Sequence, residues 1–190
     1  MQIDPPNAAP SGRRPRVYLA GPAVFDPDPL ACAERLRALC AAQGLEGVFP
    51  FDAEPDIAAA DGRAAAICRA NLALIDGCDA LLADCTPFRG VSIDPGTAFE
   101  IGYARAQGKP VAGYSADRRV YRTRLDDASQ QADGRWVDGV GRSIEDFGLS
   151  DNLMISCSLL ALSGDAAAAV VALAAHLRAG PGASAAVEAR

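Results

Sequence analysis

DALLADCTPFRGVSIDPGTAFEIGYARAQGKPVAGYS, residues 79–115, reads as strand, loop, helix and strand, and that order decides the fold class. DALLAD (79–84) is short and apolar at its centre, without polar alternation. That is the pattern of a parallel-sheet strand covered on both faces. The loop CTPFRGVSIDPG leads into the helix pattern TAFEIGYARAQG, and KPVAGYS (109–115) is the next strand. Strands alternating with helices at this spacing imply an open α/β sheet with right-handed crossovers.

The same alternation extends outward. RVYLAGP (16–22) is an apolar strand ending in a Gly-Pro turn, and PLACAERLRALCAAQG (29–44) carries Leu36, Leu39 and Cys40 at helical spacing before Gly44. GVFPF (47–51) reads as a strand, DAEPDIAAADG (52–62) as a loop and RAAAICRANLALIDGC (63–78) as a helix. Residues 116–142 are polar and Gly-rich, too long for a plain connection, and read as a flap or an insertion. EDFGLSDNLMISCSLLALSG (145–164) is apolar but open between helix and strand, and DAAAAVVALAAHLR (165–178) is a helix. The expected architecture is α/β, a flavodoxin-like or Rossmann-like open parallel sheet of about five strands with helices on both faces. One domain is expected over 16–178, between disordered tails at 1–15 and 179–190.

Composition narrows the function. Eighteen Lys and Arg against 24 Asp and Glu give a net charge of −6, and no basic run supports nucleic-acid or anionic-membrane binding. No apolar run is long enough to span a bilayer, and the N-terminus lacks the apolar core of a secretory signal. The six cysteines form no C-x-x-C pair, so a reduced, cytoplasmic protein is expected. The single histidine, His176, falls in an Ala-rich helix and reads as an exposed helix residue. A His-based metal site or a His-activated nucleophile would rest on that residue alone. Chemistry here is expected to fall to carboxylates, with no metal and no organic cofactor.

Ligands of open α/β sheets bind at the carboxyl ends of the strands, which selects the loops 20–28, 50–62, 84–97 and the segment after 115. Glu100, just past the third of these, has two readings. Thr97-Ala98-Phe99-Glu100 matches the S/T-x-x-E capping box, and Asp94 before Pro95-Gly96 suits a turn. Alternatively, Glu100, Asp94 and the Gly21-Pro22 turn converge at one sheet edge within reach of Tyr18. A carboxylate near a helix N-terminus is held ionised by the helix dipole. Two carboxylates flanking an anomeric carbon is the arrangement of glycosyl transfer. No G-x-G-x-x-G or P-loop Lys is present.

LAGP after the first strand, ANLALIDGCDALLAD, and TPFRGVSIDPGTAFEIGYARAQGKPV together resemble the nucleoside 2-deoxyribosyltransferase family. The likeness spans about 16–115 and resumes at EDFGLSDNLMI, with D-x-G-T-x-x-E-x-G-Y-A as its most specific piece. The resemblance implies a 2′-deoxynucleoside and a free nucleobase as substrates. By it, Glu100 is the nucleophile, Asp94 handles the nucleobase proton and Tyr18 positions the nucleophile. Gly21 lies in the turn beside the substrate. Asn152, in SDNLMI, matches an Asn that reaches the sugar's 5′-hydroxyl side from a neighbouring subunit, which implies a homo-oligomer. Many members carry Asp where this chain has Asn71, and Asn cannot hold a proton as a carboxylate does. Asn71 reads as a base contact or as a solvent-facing helix residue.

Other polar residues divide similarly. Arg89 suits a base, a 5′-phosphate or a surface acid, and Ser92 is a second candidate for a phosphate. Phe25 packs on a base or anchors its loop. Asp79 and Asp84 bracket a strand, and Asp61 caps the following helix. The runner-up activity is an N-glycosidase on 2′-deoxynucleoside 5′-monophosphates, with water as acceptor. A non-catalytic nucleotide-binding module is the alternative from another class.

Overall fold

The computed structural model describes residues 12–53 and 62–180. Residues 1–11 of the expected N-terminal tail, 54–61 of the expected loop including Asp61, and 181–190 of the C-terminal tail lie outside the described residues. The described chain runs β1 (Arg16–Ala20), α1 (Pro29–Ala42), β2 (Glu46–Val48), α2 (Gly62–Asp76), β3 (Ala80–Asp84), α3 (Pro95–Ala106) and β4 (Val111–Tyr114). It continues through a small hairpin, β5 (Ser129–Gln130) and β6 (Trp136–Val137), then α4 (Leu153–Ser156), β7 (Leu162–Ser163) and α5 (Ala166–Ala179). Among the described residues, no helix is long and apolar enough to cross a membrane.

Five strands form one sheet in the order β2-β1-β3-β4-β7, every neighbouring pair parallel. This is the flavodoxin-like order. Strand alternation splits the core in two. Val17 and Leu19 point to the face holding Leu36 and Cys40 of α1 and Val170 and Leu173 of α5. Tyr18 and Ala20 point to the opposite face, with Ile75 of α2 and Ile101 and Ala104 of α3. A one-residue slip of β1 would exchange these sets, so two buried faces pin its register. Each buried Leu, Ile or Val contributes roughly 1.5–3 kcal/mol.

Helix ends follow local chemistry. Asp28, Asp94 and Asp165 cap α1, α3 and α5, each accepting from the backbone amide three residues on. Gly44, at φ 76°, closes α1 as its position suggested, with Leu45 N–H donating to Cys40 O at 2.9 Å. Thr97-x-x-Glu100 does not form the capping box. The helix starts two residues earlier, at Pro95, where a fixed φ suits the first helical position.

The two undecided segments take definite forms. Tyr121–Arg124 is a 3₁₀ turn followed by the β5–β6 hairpin, where the Arg122 guanidinium lies 4.5 Å from the Trp136 ring centroid. Residues 145–164 split into a single helical turn, α4, and the edge strand β7. All six cysteines are free, with Cys40, Cys78 and Cys85 buried and Cys68 and Cys157 exposed. His176 is half-buried in the last turn of α5 rather than exposed.

Candidate active site

After β1 the chain crosses to β2 on one side, and after β2 it returns to β3 on the other, so the loops leaving β1 and β3 part at the sheet edge. A crevice at that switch point is the usual ligand site of such sheets. Here it holds a cavity of about 520 Å³, within the range of small-molecule sites. Gly21, Asn71, Asp94 and Glu100 line it, with Phe25, Phe51 and Ile67 as apolar wall.

Glu100 owes its orientation to two elements. In α3, Thr97, Ile101 and Ala104 are buried against the sheet, which leaves Glu100 at the border of that face. Below it, fully buried Tyr18 donates its hydroxyl to Glu100 Oε1 at 2.7 Å. Burial pushes the Glu100 carboxyl up to about 7; the Tyr18 hydrogen bond opposes that shift, and the Asp94 charge adds to it. Burial thus outweighs the helix dipole that the sequence suggested would hold this group ionised. Burial and the neighbouring Glu100 charge raise the Tyr18 phenol well above its ordinary value, so it remains a donor.

Asp94 serves two masters. Its Oδ2 accepts from Thr97 N–H at 2.9 Å and Thr97 Oγ1 at 3.2 Å, capping α3, while the residue lines the cavity. Gly21 packs against the end of β3. A Cβ there would lie 2.9 Å from Asp84 Cβ, so any side chain displaces the exit loop of β1. Asp84, at the end of β3, does not line the cavity and accepts from Thr86 N–H at 2.9 Å. Asp79, at the other strand end, accepts from Arg16 N–H at 2.7 Å and from the exposed Arg13 fork.

Arg89 and Asn152 do not line this cavity. Arg89 adopts φ 54° and sets its guanidinium 4.7 Å from the Phe88 centroid and 5.1 Å from that of Phe25. Phe25 stacks on Phe88 with centroids 5.6 Å apart, so it both anchors the loop and borders the cavity. Asn152 caps α4, accepting from Met154 N–H at 3.0 Å, and its amide donates to Glu145 Oε1 at 2.6 Å. Ser92 donates to Asp151 Oδ1 at 2.5 Å. Sequence reasoning missed Phe51 and Arg63, which also line the cavity. Their placement depends on how the turn after β2 and the first turn of α2 come together at the crevice, a tertiary relation that no local motif marks.

Converting Tyr18 to Phe removes the one interaction that lowers the Glu100 value, so its carboxyl rises above about 7. Turnover is expected to fall roughly tenfold to a hundredfold at neutral pH. The ascending limb of the pH–rate profile is expected to move up, with partial recovery in alkaline buffer. A uniform loss at every pH would place Tyr18 outside this role.

The sequence profile of the family described as nucleoside 2-deoxyribosyltransferase matches residues 17–154. An uncharacterized protein of Schizosaccharomyces pombe is 35% identical over 163 residues, covering 81% of this chain and 75% of that protein. The solved structure of a 2-desoxiribosyltransferase from Leishmania mexicana is 36% identical, covers 85% of this chain and 98% of its own, and superposes with a TM-score of 0.69. A 2-deoxyribosyltransferase from Bacillus psychrosaccharolyticus shares the fold at 22% identity, over 80% of this chain and 87% of its own, with a TM-score of 0.50.

Proposed function

We propose a reaction for this chain from one premise: it belongs to the nucleoside 2-deoxyribosyltransferase family and is a glycosyl-transferring enzyme. It exchanges nucleobases on 2′-deoxyribonucleosides through a covalent ester on Glu100. The observation that carries this reading is the Glu100 carboxylate, held by Tyr18 at 2.7 Å, on the wall of a cavity it shares with Asp94.

The steps balance. Ionised Glu100 attacks C1′, forming a C–O bond as the glycosidic C–N bond breaks. The departing electron pair goes to the base nitrogen, and the base takes up a proton from solvent that Asp94 relays. A second base then attacks C1′, its proton leaves to solvent by way of Asp94, and the ester bond returns its electron pair to Glu100. Two inversions retain the β configuration. A 2′-hydroxyl would withdraw electron density from the cationic transition state, which favours deoxy substrates. Phe25, Phe51 and Ile67 supply the apolar wall for a base, and Asn71 a donor and an acceptor for its edge. In this proposal the enzyme is a homo-oligomer in which Asn152 serves the sugar of a neighbouring subunit.

Asn71→Asp replaces an amide with a proton-holding group at the position where many relatives carry Asp. The ratio of initial rates with cytosine and with hypoxanthine as acceptor is expected to change about tenfold or more. An unchanged ratio across acidic and neutral buffers would show that this residue does not touch the base.

The hydrolase reading requires a 5′-phosphate site. Ser92 is bound to Asp151 and Arg89 to two phenyl rings, which leaves Arg63 as the cation lining the cavity among the described residues. The deciding assay follows 2′-deoxyinosine and cytosine chromatographically beside 2′-deoxyinosine 5′-monophosphate. New 2′-deoxycytidine is the expected result. Free hypoxanthine from the monophosphate alone would replace exchange by hydrolysis, and no turnover of either would overturn both.

A further inference from the structure

Outside the cavity, a buried carboxylate and a buried guanidinium grip the peptide that leads into Asp94. Asp151 is 4% exposed. Its Oδ1 accepts from Ser92 Oγ at 2.5 Å and from Asn152 N–H at 2.8 Å, and its Oδ2 accepts from Ile93 N–H at 3.2 Å. Arg124, from the segment between β4 and the hairpin, donates from Nη1 to Val91 O at 2.5 Å and from Nη2 to Arg119 O at 3.2 Å. Its Nη1 lies 3.9 Å from Asp151 Oδ2, and its Nε, which has no hydrogen-bond partner, 3.8 Å from Asp117 Oδ2. Val91, Ser92 and Ile93 are thus each tied down, and Asp94 follows directly.

A buried Arg with an unmatched donor costs stability, and so does a buried carboxylate whose own charge partner sits at 3.9 Å. Their arrangement gains little for folding that apolar packing would not supply. What it does secure is the direction of one short peptide. Asp94 commits Oδ2 to Thr97, and its other oxygen remains for the reaction. A displacement of about 1 Å at a reacting group costs on the order of a hundredfold in rate.

We propose that Asp151, backed by Arg124, is a positioning residue that fixes the Val91–Ile93 peptide and thereby aims Asp94 at the substrate base. The inference rests on the proton-handling role proposed for Asp94. Through Asn152 N–H the same carboxylate also fixes the start of α4, so both segments share one anchor.

The test compares the full-length protein with its Asp151→Asn and Ser92→Ala variants. Base exchange between 2′-deoxyinosine and cytosine is measured beside backbone hydrogen–deuterium exchange of residues 88–94. Asp151→Asn is expected to lower kcat about tenfold to a hundredfold with KM changed less than about threefold. Its 88–94 amides are expected to exchange at least about tenfold faster while those of α3 stay protected. Ser92→Ala, which keeps the Ile93 bond, is expected to lose less and to add nothing in the Asp151→Asn background. If Asp151→Asn does not fold, Ser92→Ala carries the test by the same split between kcat and KM. Faster exchange with unchanged kcat and pH profile would make Asp151 merely structural and overturn the proposal, as would unchanged exchange and kcat together. A wild-type protein that neither exchanges nor hydrolyses would sink the activity instead, while the amide exchange still decides the clamp.

Discussion

Replacing Glu100 with Ala is expected to abolish base exchange, with kcat falling about 10⁴-fold or more, as for other enzymes that lose a nucleophile. The covalent species gives a second readout. Wild-type protein mixed with a 2′-deoxynucleoside is expected to gain the mass of one 2-deoxyribosyl group on the peptide containing Glu100, and the Ala variant is not. A variant that keeps full turnover would end the mechanism. The same site makes a thermodynamic prediction of opposite sign. The Glu100 carboxyl sits at about 7 in the folded chain against an ordinary value of 4.5, because burial disfavours its charge. A raised value means stability is fully present below about 4.5 and is lost as pH rises through about 7. Glu100→Gln does not titrate, so its melting temperature is expected to exceed that of wild type increasingly across this window. Equal curves at acidic and neutral pH would refute the burial argument.

Asp94→Asn is expected to cost about 10²- to 10⁴-fold in kcat, the usual contribution of a positioned acid–base group. This substitution separates chemistry from structure. Asn caps helices as well as Asp does, so the carbonyl still accepts from Thr97 N–H and α3 keeps its start. Thermal stability is therefore expected to stay near wild type. Asp94→Ala adds a loss of roughly 1 kcal/mol from the missing cap. Removing the Asp94 charge also removes one of the effects that raise Glu100, so the ascending limb of any residual activity is expected to move down in pH. That is the reverse of the Tyr18→Phe shift. Unchanged kcat in the Asn variant would assign the base proton to another group.

Local signals competed at the head of α3. Both Asp94-Pro95 and Thr97-x-x-Glu100 are sound helix starts on their own. The choice was made 82 residues away, where Tyr18 offers Glu100 a buried donor that a capping role would forfeit. Arg89 shows the converse. Its charge suggested a base, a phosphate or a surface acid as partner, and the structure sets it over Phe25 and Phe88, of which only Phe88 is its neighbour in sequence. Arg63 carries no motif, and SDNLMI points to Asn152 rather than to its neighbour Asp151; both placements became apparent only once α2 and α4 had positions.

The alternation of strands and helices, the parallel sheet and its approximate strand number were legible in the residues, because periodicity and turn chemistry are local properties. The D-x-G-T-x-x-E spacing likewise brings two carboxylates to one helix start whatever surrounds it. The protonation of Glu100, the limits of the cavity and the grip on Val91–Ile93 belong to tertiary structure alone. Each is a sum over groups from distant elements: Tyr18 on β1, Asn71 on α2, and Asp151 at 58 residues from Ile93. Burial and hydrogen-bond closure depend on which atoms exclude water together, and that is decided only when the sheet has assembled.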